Sequence, residues 1–229
     1  MLALAPAGEA EIIYTPVNVT IGRNQHYDLD LTGDGTTDFT IRNRFVPFSS
    51  IFLEASLWVK SPAGNEVAAH LAFGGYWPGV HHFAYALSSG LPISGQARHF
   101  SAGRASMTWF CGCDAGSFIR GSWFSHRSGQ PLSNRYLGFK FQINGEVHYG
   151  WARLNALGPF DGALLTGYAY ETIPNQGIAA GQEQEEEKMK QPKPTALTQP
   201  VENPATLGAL ARGSGALARW RRQAAPDGN

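Results

Sequence analysis

The segment from Tyr136 to Leu154, YLGFKFQINGEVHYGWARL, constrains the fold of this chain more than any other. Apolar side chains occupy alternate positions on both sides of Asn144-Gly145: Phe139, Phe141 and Ile143 before it, and Val147, Tyr149 and Trp151 after it. Asn-Gly between two alternating runs is the strongest short-range hairpin signal, because both turn positions need a positive φ. The segment therefore predicts two antiparallel strands joined by a tight turn.

Further β-forming runs lie on both sides of this hairpin. They predict strands at Glu11–Tyr14, Val17–Ile21, Asp38–Arg42, Ile51–Lys60, Phe118–Phe124 and Ala163–Tyr170. The 27 glycines and 14 prolines favour short strands and turns, and the sequence shows no long helical period. We expect an all-β fold over residues 11–181, either an antiparallel β-sandwich of the jelly-roll type or a barrel.

Charge and polar composition describe the remaining parts of the chain. Lys plus Arg equals Asp plus Glu at 18 each, so no net charge directs the molecule toward nucleic acid. Residues 182–200 begin QEQEEEKMK and continue with prolines, which predicts a disordered linker. Residues 1–10, MLALAPAGEA, have the composition of the end of a secretory signal peptide, the alternative being a flexible N-terminus.

The cysteines are confined to Cys111-Gly112-Cys113. A disulfide scaffold and a zinc site of four cysteines are thereby excluded. The pair is either two thiols or a strained disulfide, or it has a redox or metal-binding role.

The stretch DLDLTGDGTTDF, from Asp28 to Phe39, is the candidate ion-binding loop. The candidate ligands occupy positions 1, 3, 5, 7 and 9 of a loop with Gly35 at position 6: Asp30, Thr32, Asp34, Thr36 through its carbonyl, and Asp38. This spacing places oxygens around one centre and predicts Ca²⁺ as the cofactor. The alternative is a hairpin turn whose Asp and Gly residues favour turn dihedral angles.

Near the C-terminus the chain reads VENPATLGALARGSGALARWRRQ, from Val201 to Gln223. An apolar run followed by arginines is typical of a C-terminal membrane anchor whose positive end stays in the cytoplasm. This run is shorter than the roughly 20 residues that span a bilayer, and Arg212 interrupts it. It predicts a transient membrane association; the alternative is a flexible, mildly basic tail.

The order of these parts resembles the PEP-CTERM sorting signal of exported bacterial proteins. The matching residues are Val201, Glu202, Pro204, Ala205, Thr206 and Leu207 at the start, and Arg221 and Arg222 at the basic end, while Asn203 replaces the second proline of the family motif. The resemblance assigns residues 201–223 to a sorting segment and residues 224–229 to a short tail. It implies an exosortase-type processing enzyme as a partner and a location outside the bacterial cell, at the surface or in the extracellular matrix. The segments HYGWARL and TGYAYETIPNQGIAAG are similar to uncharacterised exported β-proteins that carry such tails.

Aromatic residues in loop-like stretches are the candidate ligand contacts. Tyr76 and Trp77 lie between Gly74-Gly75 and Pro78-Gly79, and their rings are predicted to stack on sugars. Trp109-Phe110, Trp123-Phe124 and Tyr149-Gly150-Trp151 are alternatives, although most such rings are expected to fill the core.

The first functional hypothesis is an exported, non-enzymatic β-domain that binds extracellular polysaccharide. The second is a secreted glycan hydrolase, which needs two carboxylates in one cleft. Its candidates are Glu54, Glu66, Asp114, Glu146, Asp161 and Glu171. The third is a structural interaction domain without a small ligand.

Overall fold

A computed structural model describes residues 11–49, 52–73, 80–113, 116–158 and 160–184. These residues form an all-β body, and none of them is helical. The strands are β1 (Ile12–Ile21), β2 (His26–Leu29), β3 (Phe39–Ser49), β4 (Phe52–Lys60), β5 (Glu66–Phe73), β6 (Val80–Ala84), β7 (Pro92–Ile93), β8 (Phe100–Ala102), β9 (Arg104–Cys113), β10 (Gly116–Arg120), β11 (Arg135–Ile143), β12 (Glu146–Gly158), β13 (Gly162–Glu171) and β14 (Ile178–Ala179).

One large sheet with a nearly barrel-like shape contains most of these strands. Its order is β1-β13-β12-β11-β5-β6-β9-β4-β3-β2, with β10 paired to β9 and β8 paired to β5. The pairs are antiparallel except for one parallel bridge between Phe83 and Ser106. β7 and β14 form a separate two-stranded sheet. The all-β prediction is confirmed. Of the two predicted architectures, the barrel is closer to the observed sheet than the sandwich is.

The Asn144-Gly145 hairpin is confirmed. β11 pairs with β12 from Arg135↔Leu154 to Ile143↔Glu146, which leaves two residues in the loop. Asn144 has a φ of 52° and Gly145 a φ of 83°, the positive values that this turn requires. β13 continues the meander on the other side of β12, as the sequence predicts.

The two faces of this sheet are buried differently. The inner face holds the main core, in which Phe39 and Phe139 stack at 4.2 Å between centroids and Trp123 is fully buried. The outer face of β11, β12 and β13 carries a second cluster around Trp151, to which Ile93 of β7 and Ile178 of β14 contribute. The β7–β14 sheet therefore covers one part of the outer face.

Two predicted strands prove to be one. β1 runs through Pro16, with a register shift between Pro16 and Val19. Pro16 is tolerated because β1 lies at the edge of the sheet order, where a missing donor and a bulge cost little. The predicted strand Phe118–Phe124 ends earlier, at Arg120, because Gly121 turns the backbone with a φ of 111°.

The body extends past Gly181, into the segment predicted as linker. The Trp151 indole Nε1–H donates to the Gln182 carbonyl at 3.1 Å, and Arg153 lies 3.3 Å from the Glu183 carboxylate. These contacts attach the first residues of that segment to β12. The predicted N-terminal segment 1–10, the rest of the predicted linker and the sorting segment lie outside the described residues.

Candidate functional site

The candidate calcium loop connects β2 to β3, and its hydrogen bonds centre on Asp30. The Asp30 carboxylate accepts the backbone N–H groups of Gly33 at 2.7 Å and Gly35 at 2.8 Å, and the Thr32 hydroxyl at 3.3 Å. Asp34 accepts the N–H of Thr36 at 2.7 Å. These bonds shape a compact turn, as the alternative interpretation of the sequence requires.

The pKa values of Asp30 and Asp38 are shifted in opposite directions. Burial raises the pKa of Asp30, but the N–H groups of Gly35, Gly33 and Asp34 outweigh it, so the pKa is lowered overall. The pKa of Asp38 is raised, first by burial and then by the negative charges of Asp30 and Asp34, although the Leu31 N–H at 2.9 Å opposes this. Backbone donors thus favour the charged form of Asp30, whereas burial and the charges of Asp30 and Asp34 favour the protonated form of Asp38.

No group of three or more His, Cys, Asp or Glu side chains within the described part of the chain has the arrangement of a metal site. The loop satisfies much of its own hydrogen bonding with backbone donors instead. Calcium at Asp30, Thr32, Asp34, Thr36 and Asp38 stays a prediction.

Tyr76 and Trp77, the predicted ligand contacts, belong to the connection between β5 and β6 and lie outside the described residues. So do all the residues of the predicted sorting signal. Of the two cysteines, Cys111 is buried on β9.

Most of the other aromatic candidates are core residues. Trp123 and Trp151 are fully buried, and Phe124 and Tyr149 are nearly so. Phe110 packs edge-to-face on Phe160 at 5.0 Å between centroids. Trp109, like Phe110, is partly exposed, and it pairs in register with Ser56 of β4 and Arg120 of β10.

Trp109 is the centre of a row of rings that crosses β6, β9 and β10, which we call the aromatic row: His81, Trp109 and Phe118. The planes of the His81 and Trp109 rings are inclined by 20° to each other, and their centroids are 6.3 Å apart. Phe118 meets Trp109 edge-on at 5.4 Å, and the Arg120 guanidinium lies 6.0 Å from the Phe118 ring. All three rings are partly exposed.

A backbone irregularity places Trp109 on this face. β4 pairs Leu57 with Thr108 but Trp58 with Ser106, so β9 carries one extra residue, Met107, at this point. Both Met107 and Thr108 are buried, and the alternation restarts beyond them. Trp109 consequently lies on the same face as Ser106 and not on that of Met107.

Beside the aromatic row, arginines emerge from β3 and β9. Arg42 and Arg44 are exposed at alternate positions of β3, and Arg104 is exposed at the start of β9. The sequence hypotheses did not include these residues. The alternation of Arg42 and Arg44 with buried Ile41 and Asn43 was the signal that could have identified them.

Two of the carboxylates considered for hydrolysis take part in structural contacts, and Asp114 lies outside the described residues. Glu171 is buried and accepts the Ile173 N–H at 2.8 Å and the Gln176 amide at 3.0 Å. Glu66 forms an ion pair with Lys140 across β5 and β11. The described remainder lie on separate elements: Glu54 on β4, Glu146 at the start of β12 and Asp161 in the turn before β13.

The chain matches no protein-family model, no curated protein and no solved structure. Among the described residues there is also no helix of the length and apolarity that crossing a membrane takes.

Proposed function

We propose that this protein is an exported β-domain of the bacterial cell surface or extracellular matrix that binds extracellular polysaccharide without transforming it. The observation that carries the binding part of the proposal is the partly exposed aromatic row of His81, Trp109 and Phe118. Large rings that a folded domain leaves on an open sheet face provide flat apolar surfaces with polar edges. Such surfaces suit the apolar face of a sugar ring, while nearby polar groups bind its hydroxyls.

The geometry favours binding over catalysis. The partly exposed aromatic row has the Arg120 guanidinium, a cation, 6.0 Å from its Phe118 ring. Hydrolysis needs a carboxylate pair on either side of the bond to be broken. Glu66 and Glu171, the two candidates with described partners, are engaged in structural contacts.

Binding at the row is tested by substituting its central ring. We expect Trp109→Ala to abolish retention on immobilised or gel-embedded polysaccharides and Trp109→Phe to keep part of it, because Phe preserves a ring at the same place. His81→Ala is expected to weaken retention, whereas His126→Ala, which removes an exposed histidine of the β10–β11 connection, is the matched control. Unchanged retention by a folded Trp109→Ala variant would refute the proposed site.

The resemblance of residues 201–223 to the PEP-CTERM signal supports export and processing. The partner that it implies is an exosortase-type enzyme. Mass spectrometry of the protein from its native host, fractionated into membrane, surface and medium, tests this. We expect a C-terminus trimmed near Glu202-Asn203-Pro204 in extracellular material. An intact Asn229 in that fraction would contradict processing of the signal without affecting the polysaccharide site.

Calcium is the cofactor that we propose for the Asp30–Asp38 loop. The support is electrostatic: burial and the charges of Asp30 and Asp34 raise the pKa of Asp38, and a divalent cation would offset this repulsion. A bound ion stabilises the folded state by mass action, so calcium should raise the melting temperature of the wild type and not that of Asp34→Ala. Equal responses of the two proteins to calcium and to chelator would contradict the proposal.

A further inference from the structure

The outer face of β3, β4 and β9 combines basic and aromatic side chains next to the aromatic row. We call it the basic-aromatic face and define it by Arg42, Arg44, Trp58, Lys60 and Arg104. Arg42 pairs in register with Trp58, and Lys60 pairs with Arg104. These positions share the outer side because their strand neighbours Ile41, Leu57, Val59 and Ala105 belong to the inner core.

Trp58 holds two arginines in place. The guanidinium carbon of Arg104 lies 4.8 Å from the centre of the Trp58 ring, and that of Arg42 lies 6.0 Å from it. Cation–π contact restricts these long side chains but leaves their N–H groups available, and both arginines are exposed. Two preoriented donor groups therefore lie on either side of one indole.

The charges on this face are unbalanced. In β3, β4 and β9, Glu54 is the one acidic residue beside the basic Arg42, Arg44, Lys60 and Arg104. The Arg104 side chain is exposed as a whole, but its guanidinium packs 4.8 Å from the centre of the Trp58 ring. This partial burial is the first cause that lowers the pKa of Arg104, and the positive charge of Arg44 lowers it further, although Glu54 opposes this. Like charges brought this close attract an anion.

The basic-aromatic face and the aromatic row are continuous. Arg44, Ser56, Trp109 and Arg120 follow one another in register across β3, β4, β9 and β10. Trp109 thus lies between two arginines. Arg120 is one strand spacing away from it, about 5 Å, and Arg44 is two strand spacings away, about 10 Å. Charges spread over such a distance fit a polymer with repeated anionic groups better than a single small anion.

We propose that the polysaccharide bound at the aromatic row is acidic and that the basic-aromatic face binds its carboxylates; this inference rests on the proposed function. The planar fork of arginine matches a carboxylate with two parallel N–H···O bonds, while the rings of Trp109 and its neighbours contact the sugar faces. Aromatic stacking supplies recognition of the sugar, and the arginines select for its charge.

The test uses one polymer backbone in two charge states, polygalacturonate and the same polymer fully methyl-esterified, in affinity electrophoresis or calorimetry at low and high salt. We expect polygalacturonate to bind more tightly and to lose affinity with salt, while the esterified polymer loses little. The double variant Arg42→Gln/Arg104→Gln should bind polygalacturonate at least about tenfold more weakly, because a hydrogen bond to a charged group is worth that factor or more. Its binding of the esterified polymer should be unchanged.

Arg127→Gln is the matched control, since it removes one exposed arginine of the β10–β11 connection, which is not among the residues that define this face. Arg42→Lys/Arg104→Lys keeps the charge but not the fork and should fall between the wild type and the Gln variant. Thermal melting of each variant verifies folding.

Four results would overturn the inference. Equal affinity for both polymers, with Trp109 still required, would refute the acidic ligand and leave polysaccharide binding intact. A Gln double variant that binds polygalacturonate like Arg127→Gln would refute the role of this face. Equally tight binding of duplex DNA at matched charge concentration would indicate general polyanion binding. Failure to bind either polymer would instead refute the proposed function together with this inference.

Discussion

Gly121 packs closely against Met107, the extra residue of the bulge that places Trp109 on the outer face. We expect a side chain at Gly121 to disturb this bulge. The Trp123 N–H donates to the Met107 carbonyl at 3.4 Å, so the segment after β10 lies against the bulge. Gly121 has a φ of 111°, and a Cβ at this position would lie 2.1 Å from the Met107 carbonyl oxygen. Gly121→Ala is therefore strained twice, by its backbone conformation and by overlap with a backbone atom.

The two costs can be separated, because Gly116 at the other end of β10 has a similar φ of 123° and an open surrounding. A non-glycine residue in such a conformation costs about 1–3 kcal/mol, which is the expected loss for Gly116→Ala. Overpacking adds about 1–3 kcal/mol for Gly121→Ala, because Met107 can move only by disturbing the bulge. We thus expect Gly121→Ala to destabilise the fold by about 2–6 kcal/mol in all.

The assay is urea unfolding of the wild type, Gly116→Ala and Gly121→Ala under identical conditions, followed by tryptophan fluorescence. Polysaccharide retention is measured on the folded fraction of each protein, and Gly121→Ala should lose more of it, since β10 carries Phe118 and Arg120. If Gly121→Ala proves no less stable than Gly116→Ala, the close packing of Gly121 on the Met107 carbonyl is wrong. The account of how Trp109 reaches the outer face would then lose its support.

Two further predictions concern the loop and the outer cluster. Asp38 has a raised pKa in the folded protein, so its contribution to stability is complete below its unfolded pKa of about 3.9 and is lost as the pH rises through the folded value. In chelator, the free energy of unfolding of Asp38→Asn relative to that of the wild type should therefore rise as the pH increases above about 4. A pH-independent difference between the two proteins would contradict the raised pKa. Trp151→Phe removes the indole donor to Gln182 and should cost about 1–3 kcal/mol in urea unfolding, with faster proteolysis near Glu183. A Trp151→Phe protein that is cleaved there no faster than Trp109→Phe would show that the indole does not hold this segment.

Features that depend on residues adjacent in the chain could be predicted from the sequence. The Asn144-Gly145 hairpin follows from two adjacent residues that adopt positive φ and from alternation that continues through both strands. The all-β class and the burial of most aromatic side chains likewise result from composition and short-range pattern.

Which aromatic and basic side chains share a surface follows from the pairing of distant strands. Alternation along β9 from Ala105 and Met107 would have placed Trp109 in the core, but the extra residue at the bulge with β4 moves it to the outer face. The residues that pair in register with Trp109 are Ser56 of β4 and Arg120 of β10. Trp58 of β4 likewise pairs with a residue of another strand, Arg42 of β3. A bulge and a strand order depend on contacts between residues distant in sequence, and no short segment of the chain encodes them.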